Sequence, residues 1–248
     1  MTAEVSTTST AIREQASETG GRTLEIFANT PRLNAWMFSK LEAGVRGDVL
    51  EGGSGIGNIS RLLRAQATHL VVTDTEPHYL KDLQAAFAGD DGVDVAAFNL
   101  DEPPPPVVAA RQYDTIVMVN VIEHIADDHG LVARLAGMLK PGGSLLVYVP
   151  ACPFAFGSLD VALGHHRRYT PESLTALMRS AELEPTPPRY VNLLGLAGWW
   201  FSGRVLKRSV LSARAVALFE KLVPLVRLED RFRLPIGLGL CTHATKVR

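Results

Sequence analysis

Residues 49–58 read Val49-Leu-Glu-Gly-Gly-Ser-Gly-Ile-Gly-Asn58 and contain four glycines. An apolar strand runs into a glycine-rich turn, and residues 59–64 continue at helical spacing. Glycines let a backbone turn tightly and approach a ligand closely, while the amides at the start of a helix favour an anionic group. The stretch therefore predicts a nucleotide-like ligand at the carboxyl end of a strand.

The spacing of the glycines separates two kinds of nucleotide-like ligand. The dinucleotide fingerprint Gly-x-Gly-x-x-Gly/Ala, started at Gly53, needs a small residue where Asn58 stands. Started one residue earlier, it meets Ser54 at the second glycine. The turn follows Glu51, and the next strand ends in Asp74, which can accept both hydroxyls of an unphosphorylated ribose. The spacing thus argues against a dinucleotide.

Strand and helix patterns alternate from residue 48 onward, which predicts a doubly wound α/β fold. We expect a mostly parallel seven-stranded sheet with helices on both faces and a helical insertion before the last strand. Pro103 to Pro106 predict a stiff surface loop, and Lys140-Pro-Gly-Gly143 predicts a helix stop and a turn. The clearest predicted elements are strands ending at 50, 74, 98, 120 and 150, and helices at 59–64, 78–87 and 128–139.

Beyond Pro150 the alternation breaks. A loop leads to a helix that ends at Ala181, a strand follows near residues 189–193, and residues 240–247 form the last predicted strand. Residues 195–235 are apolar and basic at helical spacing. We expect a disordered tail at 1–20 and a single domain at 21–248 that contains this insertion.

Composition limits the function classes. The 248 residues are 46% hydrophobic and 21% charged, with a net charge of −1, so the total charge does not favour a nucleic-acid partner. Two cysteines fit a reduced cytoplasm and offer no disulfide framework or metal cluster. The first twenty residues lack the apolar core of a signal peptide, and no apolar run reaches the roughly 18 residues of a membrane span. A cytoplasmic enzyme is predicted.

The order of the motifs resembles the class I S-adenosylmethionine-dependent methyltransferases over roughly residues 30–150. The matching segments are 49–58, 71–74, 99–101, 113–124 and 139–150. One departure is Asn99, where the family commonly has an aspartate near adenine. The resemblance implies S-adenosylmethionine as cofactor, bound by Glu51, Gly53, Gly55, Gly57, Asp74, Asn99, Leu100, Asp101 and Asn120.

A methyl acceptor must be aligned, shielded from water and in some cases deprotonated, and the activated sulfonium requires no metal. His165, His124 and His166 are the candidate bases. The Gly164-to-Tyr169 segment resembles one in bacterial methyltransferases of small molecules and lipids, which favours His165, while His124 fits a cleft-shaping role better. The candidate acceptor contacts are Arg168, Tyr169, Trp36 and Trp199, although Arg167 and Arg168 could instead pair with Asp160.

The insertion at 195–235 has three interpretations. Between Trp199 and Arg233 it carries eight Lys or Arg and three Asp or Glu, with aromatic residues beside the cations. It could be a lid over the acceptor, a homodimer surface, or an interfacial helix on anionic lipid. The leading hypothesis is methyl transfer to oxygen, nitrogen or carbon of a small or lipid-like acceptor. Alternatives are a cyclase that releases methylthioadenosine and a cofactor-binding protein without turnover.

Overall fold

The computed structural model describes residues 21, 23 and 25–247. The tail predicted at 1–20 lies outside them, and the single domain at 21–248 stays a prediction. Within the described part, the strands are β1 (Asp48–Gly52), β2 (His69–Asp74), β3 (Val93–Ala97), β4 (Tyr113–Val119), β5 (Leu139–Pro150), β6 (Leu183–Pro185), β7 (Arg189–Val191) and β8 (Gly239–Lys246).

These strands form one sheet in the order β3-β2-β1-β4-β5-β8-β6, with β7 also paired to β8. Strands β1 to β5 are parallel, whereas β8 runs antiparallel to β5. The mostly parallel sheet that the alternation predicted is therefore confirmed.

The sheet has eight strands rather than seven because one edge strand is interrupted. Both β6 and β7 pair antiparallel with β8, at neighbouring positions along it. Between them stand Pro187 and Pro188. Proline has no amide hydrogen to donate to the ladder, so the pairing stops and resumes after it.

Helices cover both faces of the sheet. They are α1 (Pro31–Phe38), α2 (Ser60–Arg64), α3 (Pro77–Ala86), α4 (Pro106–Ala109), α5 (Asp128–Met138), α6 (Ser158–Leu163), α7 (Pro171–Ser180), α8 (Leu193–Trp200) and α9 (Ala213–Val226). A π-helical turn, Phe201–Val205, extends α8.

Adjacent residues of the central strands pack on opposite faces. Ile116 of β4 belongs to the core cluster under α5 and α7, and Val117 belongs to the cluster under α1, α2 and α3. Both side chains are fully buried. A strand buried on both faces needs a continuous apolar run, which is the pattern that the sequence shows.

Two local predictions were wrong. Pro106 begins α4 instead of lying in a loop, because proline is tolerated at the first helical position, where no amide partner is needed. Residues 140–143 do not form a free turn, since they belong to β5. There the register against β4 shifts and Gly142 has a φ of +76°.

The insertion lies between β7 and β8 and is held against α1. Glu220 of α9 accepts hydrogen bonds from the first free amides of α1, at 2.8 and 3.0 Å. Val223 of α9 packs in a buried cluster with Leu33 and Trp36. These contacts fix α9 beside α1 at the rim of the sheet.

Candidate active site

A large cavity opens at the carboxyl ends of β1, β2, β4 and β5, where open α/β sheets bind ligands. Its volume is about 1560 Å³. Sites for one small ligand usually measure roughly 300–1,000 Å³, so this cavity has room for a cofactor and an acceptor together. The predicted site residues that line it are Glu51, Gly53, Gly55, Asp74, Asn99, Leu100, Asp101, Asn120, His124, His165, His166, Arg168 and Trp199.

The glycine turn after β1 requires glycine at Gly53. Its φ is +65°, and a Cβ there would lie 2.7 Å from a methyl carbon of Val121. The turn therefore brings bare backbone to the wall of the cavity. Gly57 also has a positive φ, of +80°, but it does not line the cavity. Its carbonyl accepts a hydrogen bond from Arg61, so its position indicates a role in shaping the turn.

Asp74, at the end of β2, connects this turn to the second strand. One carboxylate oxygen accepts the amide of Gly55 at 2.8 Å, and the other accepts the amides of Thr75 and Glu76 at 2.8 and 3.0 Å. A carboxylate offers about four acceptor positions. Asp74 can thus hold the turn in place and still accept a ligand hydroxyl from the cavity that it lines.

Glu51 is a buried carboxyl at the start of the same turn. Burial raises its pKa to about 7, against the opposing effect of hydrogen bonds from Ser60 and Ser54. The hydroxyl of Ser60 donates to its carboxylate. Glu51 is therefore close to its protonation equilibrium at neutral pH.

The other predicted cofactor contacts surround the turn. The side-chain oxygen of Asn99 accepts the amide of Asp101 at 3.1 Å, which orders the loop after β3. Asn120, after β4, has a φ of +53°, and its amide donates to the carbonyl of Tyr148. Both loops open onto the cavity.

Three histidine side chains line the cavity. The His124 and His165 rings are 4.7 Å apart and nearly perpendicular, and His166 lines the same region. His124 is exposed to the cavity, yet the surrounding protein withdraws it from bulk water and lowers its pKa to about 3. A neutral His124 fits the cleft-shaping role that the sequence favoured.

Asp160, in α6, organises this region. One carboxylate oxygen accepts Nδ1–H of His165 at 2.9 Å and Nε–H of Arg168 at 2.7 Å. The other accepts the indole of Trp199 at 3.1 Å and the amide of Gly157. The side chain is fully buried. Burial alone would raise its pKa, but the bonds from His165 and Arg168 hold that pKa below its ordinary value.

The sequence identified Asp160 only as an alternative partner for the arginines. Its contact with Trp199 spans 39 residues and depends on how the insertion returns to the sheet. The only local indication in the sequence was that an acid stands three residues after Gly157, at the start of a helix. This pattern indicates a helix cap rather than a functional site.

Arg167 and Arg168 both form ion pairs with acidic side chains of the protein. Arg168 pairs with Asp160, and its guanidinium lies 5.0 Å from the Trp199 ring. Arg167 pairs with Asp128 at 2.6 Å, and the hydroxyl of Tyr169 donates to the same carboxylate. Arg168 thus forms the salt bridge with Asp160 that the sequence offered as an alternative, whereas for Arg167 that partner was wrong, since it pairs with Asp128.

Two predicted acceptor contacts lie outside the cavity. Tyr169 is buried in the core beside α5 and does not line the cavity. Trp36 is buried too, and its indole donates to Asp230. Trp36 packs against Val223 of α9 without lining the cavity, whereas Leu33, Asn34 and Met37 of the same helix do line it.

Glu123 is the most unusual carboxyl near the histidines. It is fully buried, and neither of its oxygens has a hydrogen-bond partner among the described residues. Burial raises its pKa to about 7. Ligand atoms of Glu123, His124 and His165 lie within 4.8 Å of one another, so this cluster could hold a metal ion, although the sequence predicted none.

A sheet of this order, with a glycine turn and an acid facing one cavity, is the arrangement typical of class I S-adenosylmethionine-dependent methyltransferases. The chain belongs to the family described as Methyltransferase domain, whose model matches residues 22–187, more than half of its length. Its cofactor is S-adenosylmethionine.

Curated relatives match shorter segments. The ubiquinone biosynthesis O-methyltransferase of Xylella fastidiosa (strain 9a5c) is 31% identical over 104 residues, which are 40% of this chain and 40% of the relative. Methyltransferase str2 of Strobilurus tenacellus is 37% identical over 92 residues, 37% of this chain and 31% of the relative. The chain thus spans well under two thirds of these relatives.

Solved structures share the fold over most of the chain. A complex of DhpI with S-adenosylhomocysteine superposes with a TM-score of 0.58 at 17% identity, and the match covers 95% of this chain and 97% of that one. The N-methyltransferase NodS of Bradyrhizobium japonicum WM9, also with S-adenosylhomocysteine, gives 0.55 at 14% identity over 86% and 85%. At these identities the likeness concerns the fold.

Proposed function

We propose that the chain transfers the methyl group of S-adenosylmethionine to oxygen, nitrogen or carbon of a small or lipid-like acceptor. The acceptor would lie between the glycine turn and the histidine cluster. When bound, the cofactor supplies an activated methyl group on its sulfonium. The protein's task is then to bind the acceptor, exclude water and receive a proton where the acceptor must lose one.

The bond between Asp160 and Nδ1 of His165 carries this proposal. A carboxylate at Nδ1 favours the tautomer in which Nε2 has the free lone pair. Within the described residues, Nε2 of His165 has no hydrogen-bond partner. His165 lines the cavity, so it can accept a proton from a bound acceptor.

The insertion supports an apolar acceptor. Trp199, Leu211, Val216 and Phe219 line the cavity from this segment. A cover built of such side chains excludes water and favours an apolar ligand. This is the lid interpretation of residues 195–235. Contact of the segment with a membrane or with a second copy of the chain stays a prediction, as does cytoplasmic location.

The test incubates the protein with S-adenosylmethionine and apolar phenols, amines and enolisable ketones, and identifies the product nucleoside. We expect acceptor-dependent S-adenosylhomocysteine. Methylthioadenosine would indicate a cyclase instead, and tight binding without either product would indicate a cofactor-binding protein.

A variant tests the role of His165. For an acceptor that must lose a proton, His165→Ala should lower turnover about 10²-fold or more with unchanged cofactor affinity. His129→Ala, on the surface, should leave turnover unchanged. If a chelator abolished turnover and a divalent cation restored it, the cluster of Glu123, His124 and His165 would be a metal site instead.

A further inference from the structure

The acidic and basic side chains of the insertion differ in their partners. All three of its acids bind groups of the protein itself. Glu220 accepts amides at the start of α1, Glu229 accepts amides at the start of α8, and Asp230 accepts the indole of Trp36 and pairs with Lys40 at 2.5 Å. None of the acids is left to neutralise a neighbouring cation of the insertion.

The basic side chains of the insertion remain free. All eight are exposed, and none forms an ion pair with an acid of the part of the chain described here. Unpaired cations concentrated on one segment create a positive surface even though the whole protein carries a net charge of −1. They are Arg204, Lys207, Arg208, Arg214, Lys221, Arg227, Arg231 and Arg233.

Apolar side chains are exposed on the same segment. On α9, Arg214, Leu218, Lys221 and Leu225 follow one another at intervals of four, three and four residues, so they share one helical face. Leu218 is 60% exposed and Leu225 is 66% exposed. The opposite face of α9 buries Val216 and Val223. Trp200 and Phe201, at the end of α8, are also exposed.

We propose that the outer face of α9, formed by Arg214, Leu218, Lys221 and Leu225, binds the surface of an anionic phospholipid bilayer. Basic residues attract the lipid phosphates, and leucines on the same face enter the boundary of the acyl chains. No described helix is long and apolar enough to cross a membrane, so the contact is peripheral.

Other occupants fit the surface less well. A two-fold dimer through this face would set unpaired cations of one copy against those of the other. Nucleic acid would satisfy the cations but would leave the aliphatic side chains of Leu218 and Leu225 without apolar partners. An anionic bilayer satisfies both kinds of side chain. Because the inner side of the segment lines the cavity, binding would place the cavity cover against the lipid.

The experiment is sedimentation of the full chain with vesicles of equal parts phosphatidylglycerol and phosphatidylcholine, and with vesicles of phosphatidylcholine alone. We expect binding to the anionic vesicles, weak binding to the neutral ones, and release as the salt rises from about 0.05 M to about 0.5 M, because salt screens the exposed charges. Sedimentation requires no methyl transfer, so its failure would leave the proposed function standing.

Paired variants identify the surface. Arg214→Glu with Lys221→Glu should lower the partition constant by about tenfold or more. The matched control, Lys81→Glu with Arg189→Glu, makes the same change of charge at exposed sites elsewhere on the protein, which form no ion pair with a described residue, and should bind like the parent. Leu218→Ser with Leu225→Ser should also weaken binding at an unchanged melting temperature, because both side chains are already exposed.

Three outcomes would overturn the proposal. The first is a parent protein that does not sediment with anionic vesicles at low salt. The second is equal loss of binding in the charge-reversed pair and its control. The third is a parent that is dimeric or binds a DNA duplex without binding vesicles, and loses that property in the α9 variants.

Discussion

Asp160 and His165 are joined by a hydrogen bond of 2.9 Å between the carboxylate and Nδ1, and both side chains are almost completely buried. The bond links α6 to the loop that carries the histidine. The bond orients the imidazole of His165, which lines the cavity, whereas Asp160 does not line it. Asp160 is therefore a positioning residue, which acts on the acceptor through His165.

Asp160→Asn is expected to lower turnover about 10²-fold for an acceptor that must lose a proton, and to alter the pH profile of kcat, since the amide no longer fixes the tautomer of His165. It should also lower stability, because Arg168 loses its buried counter-charge. Assays therefore belong well below the melting temperature. The control is Asp128→Asn, which breaks the contacts with Arg167 and Tyr169 away from the cavity. Equal loss of turnover in both variants would reduce Asp160 to a purely structural role.

Asp74→Ala should weaken the binding of S-adenosylhomocysteine by about tenfold to a hundredfold, as measured by calorimetry. The substitution removes an acceptor for the ligand and also the acceptor of the Gly55 amide that holds the turn. Leaving a buried amide unsatisfied costs about 1–3 kcal/mol. Asp82→Ala, on the exposed face of α3, is the control and should bind normally. Unchanged affinity of the Asp74 variant would disprove its role in cofactor binding.

Gly53→Ala should abolish cofactor binding and destabilise the protein, because the new Cβ meets Val121 and the residue needs a positive φ. Gly142→Ala is the matched control, since its φ is +76° but nothing lies within 4 Å of the added Cβ. This variant should lose only the stability that a left-handed conformation costs a residue with a Cβ, about 1–2 kcal/mol, and it should bind the cofactor normally. Normal binding by the Gly53 variant would contradict the close approach of this turn to the ligand.

Glu123→Gln should change how stability depends on pH. Burial raises the pKa of Glu123 from 4.5 to about 7, so the folded state holds its proton more tightly than the unfolded chain does. Its contribution to the free energy of unfolding is present below about pH 4.5 and is lost as the pH rises to about 7. The variant has no carboxyl at this position, so its free energy of unfolding does not fall in this way as the pH rises. Its stability relative to the parent should therefore rise between about pH 5 and pH 8, by on the order of 3 kcal/mol.

Denaturant unfolding at several pH values measures this difference. His124, whose pKa is lowered, titrates in both proteins and largely cancels. Glu184→Gln makes the same substitution at an exposed carboxyl and provides the control. A constant difference between the Glu123 variant and the parent would mean that Glu123 is ionised in the fold.

Much of the fold was predictable from the sequence because its signals are local. The glycine turn after residue 50 and the acid at 74 belong to single strand–turn units, and the structure brings them to one cavity. The interruption of the edge strand was not predicted, although Pro187 and Pro188 are visible in the sequence. Whether prolines break a strand or end it depends on which neighbour the next segment pairs with.

The sequence by itself determined the class of fold, since apolar periodicity reflects the local backbone geometry of each segment, and the resemblance of its motifs implied the cofactor. Only the tertiary structure decided which polar residues serve the cavity. It placed Tyr169 and Trp36 outside the cavity and showed Asp160 at the centre of four hydrogen bonds. Three of these partners lie within eight residues of Asp160, whereas Trp199 lies 39 residues away in the insertion, and no local pattern encodes which buried polar groups will meet once these segments pack.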